Sequence, residues 1–150
     1  MPQSLAMVLV HVIFSTRDRV PCLTKPLRPD LNAYLAGILR NIDCMPVEVN
    51  AVADHVHILC GLGRTVSIAQ LAEQVKKSSS KWIKPRAAAM RNFHWQAGYG
   101  AFSVSPSKAA HVQRYIRGQE EHHRNVTFQE EFQAFLERHG MAYDERYVWD

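Results

Sequence analysis

Two histidines, His55 and His57, stand two residues apart in the run Asp54-His55-Val56-His57-Ile58-Leu59. A β-strand sends alternate side chains to opposite faces, so residues i and i+2 share one face. Two imidazoles on one rigid face are half of a divalent-metal site. The plain alternative is a pair of half-buried structural histidines. About sixty residues further on, Tyr115 and Gln119 lie four apart. That spacing stacks them on one helix face, roughly 6 Å apart along the axis. His111 lies on the same stripe one turn earlier. A phenol with a pKa near 10 is a poor nucleophile at neutral pH. It becomes useful where a metal polarises the phosphate under attack and holds the developing charge. The residues therefore suggest His55, His57 and the amide oxygen of Gln119 as metal ligands, with Tyr115 as the group that attacks phosphorus.

The elements that must position these groups follow from patterning. Residues 5–16 read as a buried strand with Leu5, Met7, Leu9, His11 and Ile13 on one face. His11 interrupts that apolar face and reads first as a satisfied core histidine. A basic turn, Arg17-Asp18-Arg19, follows. Residues 24–42 carry apolar residues at helical spacing, with Pro26 and Pro29 tolerated only near the start. Residues 47–52 alternate as a second strand. Ala53-Asp54 makes a tight turn into a third strand, 55–60, which presents the histidine pair; Asp54 is read as a turn residue. Ser67 and Gln70 match a capping box for a helix that Pro85 stops. Residues 93–96 and 101–104 read as strand segments around a Gly98-Tyr99-Gly100 break. Ser105-Pro106 opens a helix over 107–122. A last helix is capped by Thr127, with Glu130 in the box position, and ends at Gly140. His122 and His123, two turns beyond Tyr115, read first as a solvated helix end, the alternative being that they line the site or touch phosphate. The order of elements is that of the ferredoxin-like split βαβ pattern, an α+β antiparallel sheet with helices on one face, plus a C-terminal tyrosine-bearing helix.

The chain has 150 residues, 47% hydrophobic and 21% charged, which suits one soluble domain over residues 1–150. No apolar run approaches the ~20 residues of a membrane span. The apolar opening lacks the basic start of a signal peptide. Three widely spaced cysteines argue against a disulfide framework and against a cysteine zinc site, and point to a cytoplasmic setting. The net charge of +4 and pI of about 9.1 hint at a polyanionic partner. The most basic segment surrounds the second helix. Lys76, Lys77 and Lys81 there, with Arg17 and Arg19, are candidate DNA-backbone contacts.

With these residues in view, the chain resembles the single-tyrosine HUH transposases of the insertion sequence 200/605 family. DHVHIL, WQAGYGAFSVS, YIRGQEEHH, FQEEF and YDERY carry the resemblance, which spans nearly the whole sequence. His-x-His alone is not specific; followed at this distance by Tyr-x-x-x-Gln in so small a chain, it is. The resemblance implies a transposase acting on single-stranded DNA with hairpins at the element ends. His55 and His57 would be the metal pair, completed by Gln119, with Mg2+ or Mn2+ bound. Tyr115 would form a 5′-phosphotyrosine and leave a 3′-OH that can later rejoin DNA. It also implies a homodimer in which the tyrosine helix of one subunit completes the site of the other. Two further readings stay open on the residues alone: a metal-dependent phosphodiesterase that uses water, and a relative that binds hairpin DNA or RNA without cutting.

Overall fold

The computed structural model describes residues 2–150; Met1, part of the expected 1–150 domain, lies outside them. Four strands, β1 (Leu9–Ser15), β2 (Pro46–Ala51), β3 (His55–Gly61) and β4 (Gly100–Val104), form one antiparallel sheet in the order β2-β3-β1-β4. Helices α1 (Arg28–Asn41) and α2 (Ile68–Ile83) are the two crossovers. This is the expected ferredoxin-like α+β arrangement. Three C-terminal helices follow: α3 (Ala109–Arg117), the single-turn α4 (Gln119–His122) and α5 (Phe128–Arg138).

The period of two along β1 and β3 divides the sheet into two different faces. Val10, Val12 and Phe14 of β1 and Val56, Ile58 and Cys60 of β3 join Leu31, Leu35 and Leu39 of α1 and Leu71, Val75 and Ile83 of α2 in the main core. His11, Ile13, His55 and His57 point the other way. The register places Ile13 opposite His57 and Ser15 opposite His55. A smaller core of Ile13, Phe102, Phe128, Phe132 and Leu136 seats α5 on this second face. Helix α3 is held beside it against β2. Asn50 Nδ2 donates to the Ile116 carbonyl at 2.8 Å, and Arg117 Nε donates to Glu48 at 2.9 Å. One sheet face is thus a scaffold, and the other is where the polar residues meet.

Several local expectations shift. The first strand starts at Leu9; residues before it are extended but exposed, Leu5 at 82%. The turn before α1 takes up residues 24–27, so Pro29 falls at the helix start. The capping box at Ser67 forms as expected, Gln70 N donating to Ser67 Oγ at 3.0 Å. Residues 93–96 make only one bridge, Thr16 to Trp95. There the Gln96 side chain accepts from Ser15 N at 3.0 Å, a role a strand backbone would otherwise fill. The expected single helix over 107–122 breaks at Gly118, which separates α3 from α4. Thr127 and Glu130 form the expected box at the start of α5. Among the described residues no helix is long and apolar enough to cross a membrane.

Candidate active site

Strand β3 delivers His55 and His57 side by side, fully buried on the face under the C-terminal helices. Each has its Nδ1 engaged. His55 Nδ1 lies 2.7 Å from Asp54 Oδ1, and His57 Nδ1 lies 2.8 Å from His11 Nε2. A third imidazole, His123, has its Nδ1 against the Val126 carbonyl. With the Nδ1 atoms occupied, the three Nε2 atoms converge on one oxygen, Glu131 Oε1. It lies 2.9 Å from His57, 3.2 Å from His123 and 3.5 Å from His55. Gln119 Oε1 adds a further oxygen, 2.8 Å from His123 Nε2 and 3.3 Å from His55 Nε2.

The ligand atoms of His55, His57, His123 and Glu131 all lie within 4.8 Å of one another, a separation compatible with a shared divalent ion. The donor chemistry fits as well. Imidazole nitrogens and a carboxylate oxygen facing one another are ordinary ligands of a divalent ion, and those that share protons in its absence can release them. Metal binding would replace such protons. Asp54 and His11 orient the imidazoles from behind, as outer partners of histidine ligands do.

Electrostatics mark the same cluster. Burial pulls His57 down to about 4, only partly offset by its hydrogen bond to Glu131. Burial and the neighbouring His57 hold His11 well below the ordinary histidine range. Burial would raise the Glu131 carboxyl, but hydrogen bonds from His123, His57 and Tyr115 together with the His57 charge outweigh it and hold the group far below the usual carboxylate range. His123 moves up: burial alone would lower it, and the bond to Glu131 with that group's negative charge wins.

Tyr115 closes the cluster. Its hydroxyl donates to Glu131 Oε2, and its ring lies 5.9 Å from that of His57 in the same chain. Burial first, then the Glu131 charge, raises the phenol above its ordinary pKa. The four residues singled out from sequence, His55, His57, Tyr115 and Gln119, therefore meet at one place. The basic candidates do not gather there. Lys77 and Lys81 are exposed on α2, across the sheet from the histidines. Lys76 turns inward, its Nζ donating to the carbonyls of Gln96 (2.8 Å), Ala97 (3.1 Å) and Gly98 (2.5 Å). Arg17 is exposed, and Arg19 lies over the Trp149 ring at 5.6 Å.

Four members of the cluster lie outside the ligand set expected from the sequence. His123 is a site residue rather than a solvated helix end, because the break at Gly118 redirects the chain after Tyr115. Asp54 orients His55 as well as making the turn. His11 is buried as expected, yet its partner is a site histidine. Glu131 was not singled out, although a signal existed: it shares the buried stripe of α5 with Phe128, Phe132 and Leu136. A carboxylate on an otherwise apolar stripe needs a buried partner.

The model of the family described as "Transposase IS200 like" matches residues 4–119. A solved structure of a Deinococcus radiodurans R1 protein assigned to the transposases is similar, with a TM-score of 0.62 and 21% identity over 79% of this chain and 98% of that one. A REP-associated tyrosine transposase bound to a REP hairpin is similar with a TM-score of 0.59 and 15% identity, over 84% and 76% of the two chains. No protein of curated function matches. The family match ends at Gln119, so His123 and Glu131 lie beyond it.

Proposed function

Because the chain belongs to the IS200-like transposase family, we propose that it is a DNA transposase that cleaves and rejoins single-stranded DNA through a 5′-phosphotyrosine at Tyr115. The observation that carries this reading is the meeting of the Tyr115 hydroxyl with a buried set of metal donors. The hydroxyl is bonded to Glu131, whose other oxygen faces three histidines.

In this reading the Tyr115 oxygen forms a bond to phosphorus as the bond from phosphorus to the 3′-oxygen breaks. The phenol loses its proton and the leaving oxygen gains one, giving a 3′-OH. The phosphodiester is conserved as a tyrosyl ester, so a 3′-OH can displace Tyr115 and rejoin DNA without another energy source. Glu131 orients the phenol and, with no cation present, keeps it protonated. His55 and His57, with Gln119, His123 and Glu131, would hold the metal. A divalent cation held by these residues would supply polarisation of the scissile phosphate and would compete with the phenol for the Glu131 charge. Of the two ions expected in this family, the imidazole-rich donor set favours Mn2+ over Mg2+.

The partner proposed is single-stranded DNA with imperfect hairpins from the element ends; the similar REP-associated protein bound to a hairpin supports it. Exposed Lys77 and Lys81, with Arg17 and Arg19, are proposed backbone contacts. A homodimer and a cytoplasmic setting belong to the same proposal. Tyr115 already lies beside its own chain's histidines, which supports a site able to act in cis.

The test is a denaturing gel of protein with hairpin-bearing single strands from its own element ends, plus Mn2+ or Mg2+. The expected result is a metal-dependent covalent adduct that maps to Tyr115 and is absent in Tyr115→Phe, with hairpin binding retained. Cutting without an adduct would point to a hydrolase that uses water. Binding with neither cutting nor adduct would leave a recognition protein.

A further inference from the structure

A cavity of about 200 Å³ opens between α3 and α5 at the hydroxyl end of Tyr115. Tyr115, Glu131 and the buried His11 belong to its lining, and Val112 and Phe135 are apolar parts of it. His111, His122 and Arg138 bring basic groups to it, while His55, His57 and His123 do not line it. Whatever enters therefore touches the phenol without first displacing an imidazole of the metal set.

The charges around this cavity are unequally committed. Its two carboxylates are both engaged: Glu131 by His55, His57, His122 and His123, and Glu130 by the capping box with Thr127. Its one permanent cation is not. Among the described residues the arginine–carboxylate pairs are those of Arg28, Arg117 and Arg146. The Arg138 guanidinium instead lies over the Phe135 ring, 5.4 Å from its centroid, which restrains its stem at the end of α5. An exposed guanidinium with no carboxylate partner, at the mouth of a cavity whose buried acid Glu131 already faces histidines and whose Glu130 is hydrogen-bonded to Thr127, is a seat for an anion, and its fork of donors matches phosphate oxygens.

We infer that this cavity seats the scissile phosphodiester, and that Arg138 is a catalytic residue contacting a non-bridging oxygen of that phosphate. The inference rests on the transposase reading above. In the step written there, negative charge grows on the phosphate oxygens as the phenol oxygen arrives. A guanidinium already in place holds that charge without reorganisation. His122, 3.4 Å from Glu131 Oε2, lines the approach on the α4 side.

Arg138→Ala and Arg138→Lys test this, with a hairpin-bearing single strand from the element end as the probe. Single-turnover adduct formation, hairpin binding and Mn2+ binding are measured side by side. The expected result for Arg138→Ala is an adduct rate down about 100-fold or more, the size seen when one charge-stabilising donor is lost. Mn2+ affinity and hairpin affinity should stay within about threefold of the unaltered protein. Guanidinium ion added to Arg138→Ala should restore part of the rate, and Arg138→Lys should fall between the two. An adduct rate near normal in Arg138→Ala, or a loss that follows Mn2+ affinity, overturns the inference while the transposase reading stands. No adduct from the unaltered protein overturns that reading and this one with it.

Discussion

The hydroxyl of Tyr115 donates its hydrogen bond to Glu131, sixteen residues later and on another helix. The second oxygen of that carboxylate is the point on which three imidazole nitrogens converge. Tyrosine and metal donors are thus joined through one side chain. Glu131→Gln keeps the shape and removes the charge. Isothermal titration with Mn2+ should show at least a tenfold loss of affinity, a floor taken from the smaller effect of losing an outer partner of a metal ligand. Unchanged affinity would remove Glu131 from the ligand set.

Acid should destabilise the metal-free protein in a defined window. His57 has its pKa lowered from 6.5 to about 4 by burial. Between those values the unfolded chain takes up a proton that the folded chain does not, so stability rises with pH and falls as pH drops from 6.5 to 4. For His57 alone the span is about 3 kcal/mol. His11, also lowered, acts in the same direction. His123, whose pKa is raised, is charged in both states below 6.5 and adds no slope there. Urea unfolding in EDTA at pH 6 and pH 4.5, both inside the window, measures the effect, and His57→Gln should flatten it. An equal slope in that variant would assign the effect elsewhere.

Gly100 lies opposite Ile13 on the polar face, beneath α5. A Cβ there would come within 3.0 Å of Phe132 Cζ and 3.1 Å of Phe102 Cε2. Gly100→Ala should therefore lift Phe132 and cost about 1–3 kcal/mol, as overpacking does. Because Glu131 precedes Phe132, Mn2+ affinity should fall with it. Thermal unfolding and metal titration on one sample check both; a loss of stability with full metal affinity would show that α5 adjusts without moving Glu131.

The lysines of α2 should separate by role. Lys77→Ala and Lys81→Ala should each weaken hairpin binding and lower the slope of log affinity against log salt by about 1, as loss of a phosphate contact does. Lys76→Met should act through stability. It strands up to three carbonyls of the 96–98 turn, at a cost of about 1–3 kcal/mol. Fluorescence anisotropy across a salt series, paired with melting curves, tells them apart. A reduced salt slope in Lys76→Met with normal stability would contradict this division.

Period was enough to place His55 and His57 on one face, because that regularity is local; Tyr115 and Gln119 reach the same site from two helices, the break at Gly118 having replaced the single stripe that their spacing suggests. The capping boxes at Ser67 and Thr127 were legible because they too are local. His123 and Glu131 were not, because their roles depend on where the chain goes after Gly118, and that is set by α5 docking on Ile13 and Phe102 from distant strands. The short bridge at Trp95 was hidden similarly. Only the fold shows that Gln96 meets Ser15 twice, its backbone N donating to the Ser15 carbonyl and its side chain accepting from Ser15 N.

The two cores are unequal. Among the described residues, nineteen buried apolar side chains join the scaffold face to α1 and α2, and five hold the layer that carries Glu131. Weakly anchored elements open before the whole molecule does. On warming, α5 should detach while the sheet stays folded, so the temperature at which the protein stops working would lie below the one at which it melts. A bound divalent ion, gripping β3 and α5 together, would narrow that gap. Heat tolerance of the activity would then depend on metal supply more than on the strength of the scaffold.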